Sequence, residues 1–174
     1  MGFDVKLWIE EQKARNMARA AMRRGMSAEV KAALKKSIRE TAHESRPKLI
    51  ALTMQRYTYR NALKVRVSSG TYSGKLTVRG SSNRIDAFSF YWNAATKNGF
   101  YEEIIRGKRK TIPLVFWQIG KKNWYRRESE LRYPIRRLYG PGAAEMVGKS
   151  PEISEAMQTY IGKLMEEKMA RELG

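Results

Sequence analysis

The chain has no cysteine and only one histidine. The first absence excludes disulfide frameworks, thiolate zinc sites and cysteine nucleophiles, and the second excludes multi-histidine metal centres and histidine relays. No metal site and no cofactor are therefore expected. Long apolar runs are missing too: the densest, Ile112-Pro113-Leu114-Val115-Phe116-Trp117, is far too short to span a bilayer. The N-terminus shows no basic region followed by an apolar stretch, so a soluble chain that is neither secreted nor membrane-bound is expected. Acidic residues are the other scarcity, 17 against 35 Lys and Arg, which leaves a formal net charge of +18.

That charge is unevenly spread. Residues 1–60 hold 14 basic and 6 acidic residues (+8), residues 61–140 hold 17 and 5 (+12), and residues 141–174 hold 4 and 6 (−2). Such a field attracts nucleic acid, anionic membrane or acidic protein surfaces, and charge alone does not choose among them; the C-terminal segment presents a different kind of surface. The 174 residues suffice for one domain with a real core.

Along the chain, Asp4 can cap a first helix that carries Leu7, Trp8, Ile9, Ala14, Met17, Ala18 and Ala21 and stops at Arg23-Arg24-Gly25. Ser27 suits the N-cap of a second helix, whose Val30, Ala33, Leu34, Ile38 and Ala42 recur at three- and four-residue spacing. Pro47 fits the first turn of a third, unless the last two form one kinked unit. From Leu63 the period becomes two: Leu63, Val65 and Val67, then Leu76 and Val78, alternate with polar residues across a turn at 69–74, which predicts an antiparallel hairpin.

Strands are also predicted over 101–106 and 111–118, joined by the basic loop Gly107-Lys108-Arg109-Lys110, and over 124–127 and 132–138. The segment 111–118 is apolar on both faces, which fits a central strand or one covered by another subunit. Gly140-Pro141 opens a short helix through Val147, and Ser150-Pro151-Glu152 starts a last one with the stripe Ile153, Met157, Tyr160, Ile161, Leu164 and Met165. The expectation is a single α+β domain over 1–174: basic N-terminal helices (1–60), a central, mostly antiparallel sheet (61–140) and a C-terminal helical part (141–174).

Residues with chemical potential read mostly as architecture. Gly148-Lys149-Ser150 resembles the end of a phosphate-binding loop, but Ala143 stands where that loop needs glycine. Glu102 and Glu103 are strand neighbours facing opposite sides, so they cannot share an acid/base site. His43 sits among Glu40, Glu44 and Arg46 as a solvated or salt-bridged group. The methionines Met17, Met22, Met26, Met157, Met165 and Met169 suit adaptable packing, in a core or at a subunit interface. Lys108, Arg109 and Lys110, with Lys121, Lys122, Arg126 and Arg127 beside Trp117, Trp124 and Tyr125, form the one constellation able to bind an anion or an acidic partner.

The run Tyr133-Pro134-Ile135-Arg136-Arg137-Leu138-Tyr139-Gly140-Pro141, followed by Gly142-Ala143-Ala144-Glu145-Met146-Val147, resembles the proline-isoleucine, leucine-tyrosine-glycine-proline signature of the phage minor tail protein Z family. The resemblance implies a non-enzymatic virion protein that completes a long non-contractile tail so that it can join the head. It further implies a homo-oligomeric ring, hexameric by expectation, that meets tail-tube or tail-terminator proteins and head connector proteins. Location in the tail or neck, and in the host cytoplasm during assembly, goes with it. Interface and corner positions are then Ile112, Phe116, Trp117, Pro134, Ile135, Leu138, Tyr139, Gly140 and Pro141. The alternative is a basic nucleic-acid-binding protein without catalytic activity, in which the same cations touch DNA; a hydrolase relying on Glu and Ser or Lys residues comes third.

Overall fold

The computed structural model describes residues 3–8, 28–70, 73–93 and 99–173. It is α+β, as the change of period implies. The first sheet contains β1 (Phe3–Trp8), β2 (Val65–Ser69) and β3 (Gly74–Gly80) in the antiparallel order β1-β3-β2. Val65 pairs with Val78 and Val67 with Leu76, so the predicted hairpin forms with its apolar residues in register. The helix expected from Asp4 is corrected in its first part. Phe3–Trp8 is a strand, with Val5 opposite Val78 and Leu7 opposite Leu76. Phe3, Val5 and Leu7 alternate with Asp4 and Lys6, and that period of two prevails where a long apolar edge stands ready to pair. The rest of that helix, with Met17, Met22, Met26 and the stop at Gly25, lies outside the described residues, as does Ser27.

Across this sheet lies α1 (Ala28–Arg56), in which the second and third expected helices are joined into one unit. Pro47 withdraws one hydrogen bond from its interior, but Pro47 and His43, whose carbonyl loses its partner, are both exposed, so water can take that donor's place. The buried stripe of α1 runs Leu34, Ile38, Ala42, Ser45, Leu49 and Thr53. Two helices complete this half: α2 (Ala143–Gly148) against β1 and β3, and α3 (Pro151–Leu173) along α1. Their Met146, Val147, Ile153, Met157 and Ile161 join Ala42, Leu49, Leu76, Val78 and Phe88 in one core, while Leu34, Ile38 and Met169 form a smaller one. Met157 is buried and Met165 accepts the Thr41 hydroxyl at 3.7 Å, so these methionines pack within the chain.

The single central sheet is replaced by several small ones. A short β4 (Asn83–Arg84) and a 3-10 turn lead to β5 (Ser89–Asn93), β6 (Gly99–Glu103) and β7 (Lys110–Ile112), an antiparallel sheet in that order. Next come β8 (Val115–Gln118), β9 (Asn123–Arg127) and β10 (Ile135–Arg137), ordered β10-β9-β8, and β11 (Tyr139–Gly140) returns to pair with β4. The expected continuous strand 111–118 is broken at Pro113 and Leu114. Proline cannot donate to a ladder, and Leu114 takes the left-handed conformation at φ 57°. Both products, β7 and β8, are edge strands, which removes the central-strand reading.

Backbone bonds tie the later sheets to the end of α1: Thr58 N–H donates to Ile104 O at 3.0 Å, Arg106 N–H to Arg56 O at 2.8 Å and Arg60 N–H to Ala87 O at 2.8 Å. Two details at the C-terminal corners also differ from expectation. Ser150 turns its hydroxyl back to Met146 O at 2.7 Å, and to the Tyr57 hydroxyl at 2.7 Å, instead of capping α3; its carbonyl accepts the Ser154 N–H at 3.2 Å. Pro141 lies before the N-cap Gly142 and so outside the first turn of α2.

Candidate interaction surface

The corner Tyr139-Gly140-Pro141-Gly142 positions the later sheets against the core by close approach. A β-carbon on Gly140 would stand 2.7 Å from Cδ2 of the buried Phe88 ring and nearer still to Cε2; one on Gly142 would stand 2.6 Å from Ser81 O. Neither glycine has positive φ, so close approach and not an unusual backbone angle is the reason for glycine here. Asn83 clamps the corner, donating to Pro141 O at 2.8 Å and accepting from the Tyr59 hydroxyl at 3.2 Å. Leu138 and Pro141 are half-buried and Tyr139 is exposed.

From this corner the chain projects the sheet β10-β9-β8. Alternation along β8 and β9 divides its aromatics between two faces. On one, Trp117 and Trp124 meet at 5.2 Å, and Trp124 packs on Phe90 (5.2 Å) and Phe100 (4.9 Å) of the neighbouring sheet. On the other, Phe116 stacks on Tyr125 at 6.0 Å under the Arg127 guanidinium, 5.4 Å from the ring centre. A groove of about 360 Å³ on this side is lined by Phe116, Trp117, Ile119, Arg127, Arg132 and Tyr133. The Gln118 amide oxygen beside it is buried without a hydrogen-bond partner.

Around the groove apolar side chains stand in solvent: Trp117 at 38% exposure, Ile119 at 80%, Leu131 at 72% and Tyr133 at 63%. Of the expected interface residues, Phe116, Trp117 and Ile135 are gathered here, with Pro134 exposed at the end of the loop that carries Tyr133. Ile112 is not; it is buried. The apolar stripe of α3 is likewise packed against α1 and the core, so it offers no association surface. Ile119, Leu131 and Tyr133 were missed because they sit in turns, where no periodicity marks them.

The seven basic residues do not form one cluster. Lys110 and Arg126 line a pocket with Glu102 between the two sheets, Arg127 faces the groove, and Lys121 and Lys122 sit at the β8–β9 turn. Arg109 spans Tyr91 and Tyr101 at 5.5 Å from each ring centre and approaches Glu103 at 3.9 Å. Lys108 lies close enough to Glu152 at the start of α3 to help hold that carboxyl below its ordinary value, after the dominant hydrogen bond from Arg56. Glu102 moves the other way: burial raises its pKa against the pull of Lys110 and Arg126.

Several other polar groups pair within the chain. Lys149 pairs with Glu145 at 2.5 Å, and Ser150 is buried on Tyr57, so neither is placed as in a phosphate loop. Lys168 is buried between α3 and α1, donating to Glu44 at 2.6 Å and Glu40 at 3.1 Å. Among the described residues no group of acids and histidine is arranged to hold a metal, and no helix is long and apolar enough to cross a membrane. No family model, curated protein or solved structure matches the chain.

Proposed function

We propose that the chain is a structural component of the tail or neck of a long-tailed bacteriophage, and that it acts by docking, not by catalysis. The observation that carries the docking part is the edge sheet β10-β9-β8. Trp117, Ile119, Leu131 and Tyr133 are exposed beside a strand edge with arginines between them. Large aromatics and arginine in an apolar patch with a polar rim are the composition of a protein interface. The phage assignment rests on the signature from Tyr133 to Val147, whose residues here form β10, β11 and α2. Under this reading the partners are further copies of the chain in a ring, tail-tube or tail-terminator proteins, and head connector proteins.

The test is complementation of a phage lacking the gene with Trp117→Asp and Tyr133→Asp variants. Tyr133 is mostly exposed, whereas Trp117 also packs on Trp124, so circular dichroism and thermal melting first establish that each variant is folded. Unjoined heads and tails should accumulate. Joined virions at the normal level from both variants would refute the assignment of this surface.

A further inference from the structure

The two later sheets face each other across Phe90, Phe100 and Trp124, and this apolar filling gives way to a polar mouth of about 240 Å³. Glu102, Lys110, Arg126, Arg136, Arg137 and Tyr139 line it. Glu102 lies opposite Lys110 in the β6–β7 register, and Arg126 lies directly opposite Arg136 in the β9–β10 register. Like charges facing one another across a sheet are destabilising unless a counter-charge sits between them. Among the described residues, Lys110, Arg126 and Arg136 close no salt bridge. Arg137 donates to Asn123 Oδ1 at 2.6 Å and lies 4.6 Å from the Tyr139 ring centre, with its Nε buried and without an acceptor. Arg137 follows Arg136 in β10 and is held by Asn123, so three cations, Lys110, Arg126 and Arg136, converge on a place that holds one half-buried carboxylate.

The opposite charge is found on α3. Glu155 and Glu166 are exposed and, among the described residues, form no salt bridge. They are separated by about three helical turns and so fall on one stripe of the helix. Between them Gly162 has nothing within 4 Å of where its β-carbon would be, so another chain can approach closely there. Within one chain α3 is held against α1 and α2.

We propose that the mouth formed by Lys110, Arg126, Arg136 and Glu102 is a carboxylate-binding site, occupied by the Glu155–Glu166 face of α3 from a second copy of the chain. The inference rests on the assembly reading above and names the contact between subunits. With a net charge of +18, two copies meeting through the same face would bring Arg126 and Arg136 against their own equivalents. A head-to-tail contact brings the sole acidic segment to the basic mouth. Guanidinium groups bind a carboxylate with two parallel hydrogen bonds, which gives such a contact direction as well as strength. Head-to-tail contacts repeat, and they close into a ring when the rotation per copy allows.

The test is charge reversal with mixing. Sedimentation at low ionic strength compares the unaltered chain with Arg126→Glu/Arg136→Glu and with Glu155→Arg/Glu166→Arg, each shown by circular dichroism and thermal melting to be folded. The unaltered chain is expected to self-associate, and each variant alone to do so about tenfold more weakly or worse. An equimolar mixture should regain association, because each variant's mouth is then opposite in charge to the other's helix. Undiminished association of either variant alone, a mixture that stays monomeric, or an unaltered chain that never associates would each overturn the proposal. So would a reversed mouth that keeps self-association but loses retention of duplex DNA, since the ligand would then be phosphate. The Trp117 complementation is independent: if it stops head joining while charge reversal changes nothing, the assembly reading stands and this site falls.

Discussion

Replacing Gly140 by alanine places one methyl group 2.7 Å from Cδ2 of Phe88 and closer to Cε2. Carbon atoms in contact prefer about 3.5–4.0 Å, so the ring must move by about 1 Å. It cannot do so freely: Phe88 is fully buried and packs 5.3 Å from the Tyr59 ring, which is itself tied to Asn83. Forcing a methyl group into a filled site costs about 1–3 kcal/mol, and the absence of slack puts Gly140→Ala at the upper end. Phe88→Leu alone leaves a partial void, costing less than the about 3–5 kcal/mol of truncation to alanine. The two changes relieve each other, so the double variant should be more stable than the sum of the singles by about 1 kcal/mol or more. Urea denaturation at unchanged slope measures all three. Costs that add to within about 0.5 kcal/mol would refute the reasoning, because a methyl group that does not press on Phe88 gains nothing from its removal.

Other consequences concern charge. Lys168→Met removes the cation that joins Glu40 and Glu44 across α1 and α3, and should cost about 1–3 kcal/mol in urea or thermal melts. The hydrogen bond from Lys168 is the main reason that the Glu40 carboxyl titrates below its ordinary value of 4.5. Its stabilising effect is therefore complete above that pH and is lost as the pH falls through the lowered value; Lys168→Met should flatten this acid limb, seen in melts between neutral pH and about pH 3. Glu102 has the opposite sign: burial raises its pKa, so its charge opposes folding at neutral pH, and Glu102→Gln should melt higher than the unaltered chain there.

The parts of the fold that a periodic pattern controls could be read from the residues alone. Val65, Val67, Leu76 and Val78 alternate, and they pair; Ile153, Met157 and Ile161 recur at four, and they lie along α1. Reading failed where a short segment suits two structures. Phe3–Trp8 carries a capping aspartate and a usable helical stripe, and only the presence of the β3 edge decides for a strand. Pro47 signals a helix start as well as a tolerated interior position, and exposure on the long α1 decides between them. The candidate site was legible in composition but not in grouping. Arg126 and Arg127 are adjacent in the chain and therefore face opposite sides of β9, one in the mouth and one over Phe116. Which cations share a surface follows from strand register, and register depends on turns such as 119–122, whose Lys122 takes a left-handed conformation at φ 48° without being glycine.

The placement of arginine explains how so basic a chain can carry so many exposed rings. Arg84 lies 5.4 Å from the Trp117 ring centre, Arg127 5.4 Å from Phe116, Arg132 5.8 Å from Tyr133 and Arg137 4.6 Å from Tyr139. Each guanidinium covers an apolar face, and such a contact contributes about 0.5–1 kcal/mol at an exposed site. The later sheets need this cover because β7 and β8 are short edges whose unpaired backbone groups invite another strand, and positive charge beside an edge discourages indiscriminate pairing. At the proposed contact the surplus of positive charge would act as a selection rule, repelling a second copy that approaches with the same face and admitting one that presents Glu155 and Glu166.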